Sequence, residues 1–197
     1  MPARRITGLR EQARGKVLVE VDGTAWRAFP PEVVARAGLR AGAELDRPLL
    51  RVLARERRRS RALMLAARAL RRRDLSTTRL GERLRHAGVP AASRSEALEV
   101  LRRSGFLDDD RFAAARARAL AERNMGDAAI RFDLERHGIE PEGIDRAFAE
   151  VAGESERAAR IAETRGRSPA TARYLARRGF CSDVVGDAVG FEVAREG

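Results

Sequence analysis

The sequence predicts a mainly α protein, a tandem array of three three-helix repeats preceded by a small antiparallel β-hairpin or meander with a short helix. Three observations carry this prediction. A leucine stands four residues before a glycine, with an apolar residue directly after it, at Leu84...Gly88-Val89, Leu134...Gly138-Ile139 and Leu175...Gly179-Phe180. A helix that ends on a left-handed glycine at C′ brings the C″ residue against C3, so three helices end in one kind of apolar clasp. Each clasp is preceded by an amphipathic segment (61–70, 111–120, 156–162) and followed by another (96–103, 141–148, 183–189), which makes a three-helix unit. Strand-like alternation, in contrast, is confined to the first 29 residues.

The strands come first. Ile6 to Leu9 can begin one, Lys16–Val21 alternates with Val17, Val19 and Val21 on one face, Asp22-Gly23 is a turn dipeptide, and Ala25–Phe29 returns with Trp26 and Phe29. So few strands are marginal in water and need a helix to rest on. Pro31 suits the first position of one, and Val34...Gly38-Leu39 repeats the clasp at its end. Pro48 opens a longer helix that runs to Leu70, with Leu63, Ala66, Ala67 and Leu70 as its apolar stripe.

In the first repeat Ser76 is read as the N-cap of the helix of Leu80 and Leu84, and Ser93 with Glu96 as a capping box for the helix of Leu98 and Leu101. Gly105 ends that helix, and Asp108, Asp109 and Asp110 place negative charge at the start of the next, where the dipole favours it. The second repeat takes Phe112, Ala115, Ala119 and Leu120 as its first stripe. Its break is Asn124-Met125-Gly126-Asp127, with Asp127 as N-cap and Ile130 leading to the clasp. Ile144 and Phe148 mark its third helix, closed by Gly153. In the third repeat Ser168-Pro169 is a cap with proline at N1, Ser182 caps the last helix, of Val184, Val185, Ala188 and Val189, and the terminal AREG is expected to fray.

Of 197 residues, 44% are apolar but only 5% aromatic, which suits cores of Leu, Ala and Val; 35% are charged and the net charge is +11. Such a balance points to a polyanion or an acidic protein surface as partner. The charge is uneven: residues 1–59 and 60–107 each carry +7, 108–152 carry −4 and 153–197 carry +1. Lys16 is the lone lysine among 40 basic residues, and arginine forks bind phosphates and carboxylates at two points. Nine arginines fall between 55 and 73, namely Arg55, Arg57, Arg58, Arg59, Arg61, Arg68, Arg71, Arg72 and Arg73, relieved only by Glu56. With Arg79, Arg83, Arg85, Arg131, Arg173, Arg177 and Arg178 they form the candidate set for binding nucleic acid or an acidic protein surface.

Catalytic chemistry is not signalled. The sequence carries no phosphate-cradling glycine loop, metal-ligand spacing or nucleophile elbow. His86 and His137 stand just before repeat glycines, where a cation complements a helix end. A single cysteine, Cys181, excludes an internal disulfide. No apolar run approaches about 20 residues and the start lacks a signal peptide's apolar core, so a soluble cytoplasmic protein without catalytic, metal or cofactor sites is expected.

RLGERLRHAGV (79–89), SGFLDDDRFA (104–113), Gly126...Ile130-Arg131 with Leu134...Gly138-Ile139, and ARYLARRGFCSDVV (172–185) together give residues from about 61 to 190 a resemblance to the RecX family, regulators of the RecA recombinase. FPPEVVARAGLRAGAELD (29–46), with the hairpin before it, is similar to the strand-containing segment that precedes the repeats in some members. The family commonly has a basic residue before the glycine and a proline after it at the second-repeat break, where this chain has Met125-Gly126-Asp127. The third repeat has Thr171 where the others have Leu80 and Ile130, and looser packing is expected there.

The resemblance implies a non-enzymatic modulator that lies in the groove of the RecA–single-stranded DNA filament and limits its growth, strand exchange and coprotease activity in the SOS response; a monomer is expected, and the arginine run predicts weak, salt-dependent affinity for single-stranded DNA itself. The expected divisions are 1–47 for the strand-containing segment, 48–60 for an arginine-rich connecting helix, and 61–107, 108–153 and 154–197 for the repeats. Short helices joined by glycine turns also suit a helix-turn-helix regulator acting directly on DNA, and the threefold repetition favours the filament modulator.

Overall fold

The computed structural model describes residues 4–13 and 15–190; the expected fraying of AREG lies outside them. The chain divides into two compact units, one of residues 1–73 with 80–104 and the other of 74–79 with 105–197.

The first unit begins with an antiparallel sheet in the order β1 (Ile6–Gln12), β2 (Lys16–Val21), β3 (Thr24–Phe29). Asp22 and Gly23, both at positive φ (51° and 77°), make the two-residue turn between β2 and β3, the geometry that matches the twist of the strands it joins. A register shift opposite Val19 and Glu20 interrupts the β2–β3 pairing, and Trp26 and Phe29 both reach the core, their rings 5.7 Å apart. Val19, Val21, Ile6 and Phe29 are buried under α1 (Pro31–Arg36) and Leu53 of α2 (Arg47–Leu70), so the sheet obtains the helical support it needs.

Asp46 caps α2, accepting from the Leu49 N–H at 2.8 Å, with Pro48 in the first turn. The buried stripe of α2 is Leu53, Ala62, Ala66 and Ala69, whereas Ala67 is exposed and Leu63 and Leu70 half-buried. In a helix with an Ala or Leu at most positions between 62 and 70, apolar spacing fits more than one phase, and packing chooses among them. Against α2 lies α4 (Ala91–Arg103). It starts two residues before Ser93: Pro90 occupies the N-cap position, no side chain caps it, and Ser93 is buried inside the first turn, so the expected capping box does not form.

The second unit repeats one arrangement. The first helix packs on the third in α5 (Asp109–Glu122) with α7 (Pro141–Phe148), and again in α8 (Glu154–Arg165) with α10 (Ser182–Val189). Between them come α6 (Asp127–Arg136) and α9 (Pro169–Arg177). In α5 the buried residues are Ala113, Ala114, Ala117 and Leu120, with Ala115 exposed and Ala119 half-buried, so the stripe lies off the expected phase. Gly126 rather than Asp127 takes the N-cap position of α6, Cys181 rather than Ser182 that of α10, and Gly153 that of α8 rather than closing α7, which ends at Phe148. Ser168 caps α9 as expected.

All three clasps form. Gly88, Gly138 and Gly179 have φ of 72°, 73° and 83°. In each, the residue after the glycine returns its N–H to the leucine carbonyl: Val89 to Leu84 at 3.0 Å, Ile139 to Leu134 and Phe180 to Leu175 at 3.2 Å. This is the Schellman pattern. Gly38 ends α1 in the same way, with Leu39 bonded to Val34.

A fifth clasp carries no glycine. Asn124 (φ 60°) ends α5, with the Met125 N–H on the Leu120 carbonyl at 3.1 Å. Asparagine tolerates the left-handed region better than most residues, so Leu120...Asn124-Met125 forms the same clasp without a glycine.

Candidate nucleic-acid interface

Within the second unit the clasps also act as sockets. The approach to α3 (Thr77–His86) brings Ser76, fully buried, against the end of α6, where its hydroxyl donates to the His137 carbonyl at 2.5 Å and accepts from the Arg79 N–H at 3.3 Å. A Cβ built on Gly138 would overlap the Thr78 side chain. The next junction pairs backbone with backbone: the Gly126 N–H donates to the Arg178 carbonyl at 2.8 Å and the Ala128 N–H to the Gly179 carbonyl at 3.3 Å. Thus the free carbonyls at one middle helix's end meet free donors at the start of another, which satisfies both and aligns their dipoles favourably.

Buried charge fixes the second junction. Arg157, 7% exposed, donates to the Ala152 carbonyl at 2.9 Å, to the Met125 carbonyl at 2.5 Å and to Asp127. Burial pushes the Asp127 carboxyl up from its ordinary range, opposed by the Arg157 charge and assisted by Glu154. Nothing in the sequence sets Arg157 apart from its neighbours; its role rests on contacts 30 and 32 residues away.

The acidic run 108–110 separates into three tasks. Asp108 caps α5 through the Arg111 N–H at 2.9 Å, Asp109 accepts from the Thr77 N–H at 2.7 Å, and Asp110 pairs with Arg146 at 2.7 Å. Among the described residues no group of three or more His, Cys, Asp or Glu side chains could hold a metal ion. His137 sits at the C-cap of α6 with Nδ1 2.7 Å from the Asp133 carbonyl oxygen, and His86 is the last residue of α3. Thr171 is buried, yet its hydroxyl donates to the Gly166 carbonyl at 2.7 Å, so the polar replacement in the third repeat has a partner.

The candidate arginines sort by what they touch. Arg59 is committed within the fold: its side chain is 12% exposed and its Nε lies 2.9 Å from Glu96 Oε1, with Glu56 also near. Arg55 reaches the same Glu96 at 3.8 Å. Arg131 pairs with Asp145 and stands over Phe148, while Arg178 lies over Tyr174 and against the Met125 sulfur. Arg79 is half-buried at the start of α3.

The side chains of Arg58, Arg61 and Arg68 on α2, Arg71, Arg72 and Arg73 just past its end, Arg83 and Arg85 on α3, and Arg173 and Arg177 on α9 are exposed, with no partner among the described residues. Arg57 is exposed and lies over Phe29 at 5.8 Å. A groove of about 720 Å³ between α2 and the start of α4 is lined by Arg51, Arg55 and Arg58 with Glu96. The first unit therefore presents a ridge of open guanidinium groups suited to phosphate oxygens. No helix among the described residues is long and apolar enough to cross a membrane.

Comparison with known proteins gives one consistent answer. The family model described as RecX, second three-helix domain, matches residues 108–148. A protein named Regulatory protein RecX from Acidithiobacillus ferrooxidans is 31% identical over 140 residues, covering 67% of this chain and 91% of its own. Another of that name from Xanthomonas axonopodis pv. citri is 33% identical over 132 residues, covering 62% and 82%. A crystal structure of regulatory protein RecX superimposes with a TM-score of 0.81 at 21% identity, covering 95% of this chain and 98% of that one. The crystal structure of RecX from Lactobacillus salivarius gives 0.59 at 16% identity over 68% and 95%. At these identities the solved structures speak for the fold.

Proposed function

Because the chain belongs to the RecX family, we propose that it is a non-enzymatic regulator that binds the RecA–single-stranded DNA filament and lowers recombinase and SOS coprotease activity in the cytoplasm. The observation that carries this reading is the set of open arginines on α2, in a chain where Arg59, Arg116, Arg146 and Arg157 are held by carboxylates. Those free forks suit phosphates of the filament's DNA or acidic recombinase surfaces. We take 48–60 with repeats 61–107, 108–153 and 154–197 as the working parts, and 1–47 as an accessory to them. A groove-bound monomer touches several recombinase subunits at once, so multivalency raises its affinity for the filament above that for free subunits.

The test is RecA-dependent ATP hydrolysis on single-stranded DNA with the protein titrated in. Hydrolysis should fall well before one molecule per recombinase subunit, and free recombinase should compete poorly. Unchanged hydrolysis at equimolar protein, together with tight binding to a defined duplex site, would replace this reading with a helix-turn-helix regulator acting directly on DNA.

A further inference from the structure

On the side of α2 that faces the sheet lies a second groove, of about 440 Å³, between β3 and the helix. Five cations line it: Lys16 at the start of β2, Arg27 on β3, and Arg57, Arg58 and Arg61 on α2. All five are exposed, and none has a carboxylate partner among the described residues. The lining holds no Asp or Glu; Ser60, on its wall, donates to Glu32, which lines a separate pocket. Apolar atoms form the rest. Phe29, Pro30, Val33 and Ala54 contribute, and Met64 stands 61% exposed beside them.

We propose that this groove is a binding site for a single-stranded nucleic-acid segment, in which Lys16 and Arg27 of the sheet and Arg57, Arg58 and Arg61 of α2 hold consecutive phosphates while the Met64 face receives a base. It rests on the reading above that α2 meets phosphate, and it adds the sheet as the opposite wall. Holding five like charges open around one groove is unfavourable for the free protein, and a polyanion relieves it. A phosphate backbone is uninterruptedly negative, whereas an acidic protein face mixes carboxylates with its own cations and calls for some acids in return; this groove offers none. An apolar floor between cations is the combination that single strands use, because a backbone groove and a face for the bases act together. A paired duplex keeps its bases stacked inside and has nothing to place on that floor.

The experiment is fluorescence anisotropy of a labelled oligo(dT) with the full chain, across a salt series, using Lys16→Glu with Arg27→Glu, then Arg58→Glu with Arg61→Glu, and as a charge-matched control Arg40→Glu with Arg102→Glu. The sheet pair should lose affinity about tenfold or more and flatten the log–log salt slope by on the order of 1, since each single-strand phosphate contact contributes about 0.7. The control should change little. An abasic strand of equal length should bind about fivefold more weakly than oligo(dT), with Met64→Ser removing most of that difference.

If the α2 pair loses binding and the sheet pair behaves like the control, the groove is not the site although α2 still meets phosphate; if neither pair matters, the α2 reading falls with it. Equal binding of abasic strand and oligo(dT), or displacement of oligo(dT) by polyglutamate of equal charge, overturns the proposal in favour of an acidic protein partner. Inhibition of recombinase hydrolysis by the sheet variant is scored separately, so loss of this site and loss of the regulatory role are told apart.

Discussion

Gly126 lies directly against Gly179: its N–H bonds to the carbonyl of the preceding Arg178 at 2.8 Å, and a β-carbon built on Gly126 would overlap the Gly179 carbonyl group and the Phe180 nitrogen. Backbone cannot retreat as a flexible side chain can. Gly126→Ala should therefore destabilise the protein by about 2–3 kcal/mol, the range of overpacking in a close-fitted interior. Gly153→Ala, where a Cβ meets nothing and φ is ordinary, should cost no more than about 1 kcal/mol, the effect of a weaker N-cap on α8. Urea midpoints of the two variants decide it.

The clasp glycines should not respond alike. At Gly88 nothing lies within reach of a Cβ, so alanine there meets only the left-handed backbone and costs about 1 kcal/mol. At Gly138 the same substitution also drives into Thr78, and at Gly179 into Ala129, whose Cβ stands 2.8 Å from the added carbon. Both should cost about 2–3 kcal/mol. Equal effects at all three glycines in the same urea series would contradict the socket arrangement.

Arg157→Met should destabilise by about 2–4 kcal/mol, because it leaves two inward carbonyls and Asp127 without their donor. Arg157→Lys should recover little, since one ammonium cannot reproduce a fork spread over three acceptors. Thermal unfolding of both variants beside wild type is the check.

How much of this was legible in the sequence follows from how local each cause is. The clasps at Gly88, Gly138 and Gly179 are written in six residues, since the C″–C3 contact and the left-handed turn are both internal to the helix end. The Asn124 clasp uses the same geometry with a residue that signals it less strongly. Ser93, Asp127 and Ser182 have cap chemistry but sit inside their helices; at Asp127 the cause is distant, because Gly126 is pinned by Arg178 and the carboxylate belongs to Arg157. The interface divides along the same line. Arg58 and Arg59 are neighbours of one chemistry, and only the position of Glu96, 37 residues on from Arg59, commits one of them to the fold.

That division is testable. Arg59→Ala should destabilise by about 1–2 kcal/mol through loss of the Glu96 contact and of the stem's packing, with binding to single-stranded DNA little changed at temperatures where it is folded. Arg58→Ala with Arg61→Ala should leave stability within about 0.5 kcal/mol and weaken DNA binding. Paired unfolding and anisotropy measurements on the same preparations separate the roles.

Acid should weaken one internal tie selectively. The two-point hydrogen bond from Arg116, at 2.8 and 2.9 Å, holds the Asp133 carboxyl below its ordinary range. With the folded value depressed, the stabilisation is fully present above the ordinary Asp value of about 3.9 and is lost as pH falls through the lower folded value. Asp127, raised by burial, has the opposite sign: its charged form is disfavoured in the folded state, so it subtracts stability as pH rises through its own range. The stability gap between wild type and Asp133→Asn, read from urea midpoints between pH 6 and 3, should shrink on acidification, whereas Asp127→Asn should show no such loss of its gap.

The sockets bear on how such a chain changes length over generations. Their direct contacts are backbone carbonyls, backbone N–H groups and residues no larger than threonine, so beyond the Arg157–Asp127 pair at the second junction few matched side chains have to arise when a unit is duplicated or deleted. Gly88 ends one clasp with nothing against it, and Pro169 and Ala170 begin α9 exposed, so an unused half of the joint persists at each place. A unit gained or lost whole carries the backbone part of its joint with it, and only the Arg157 fork has to be supplied in addition.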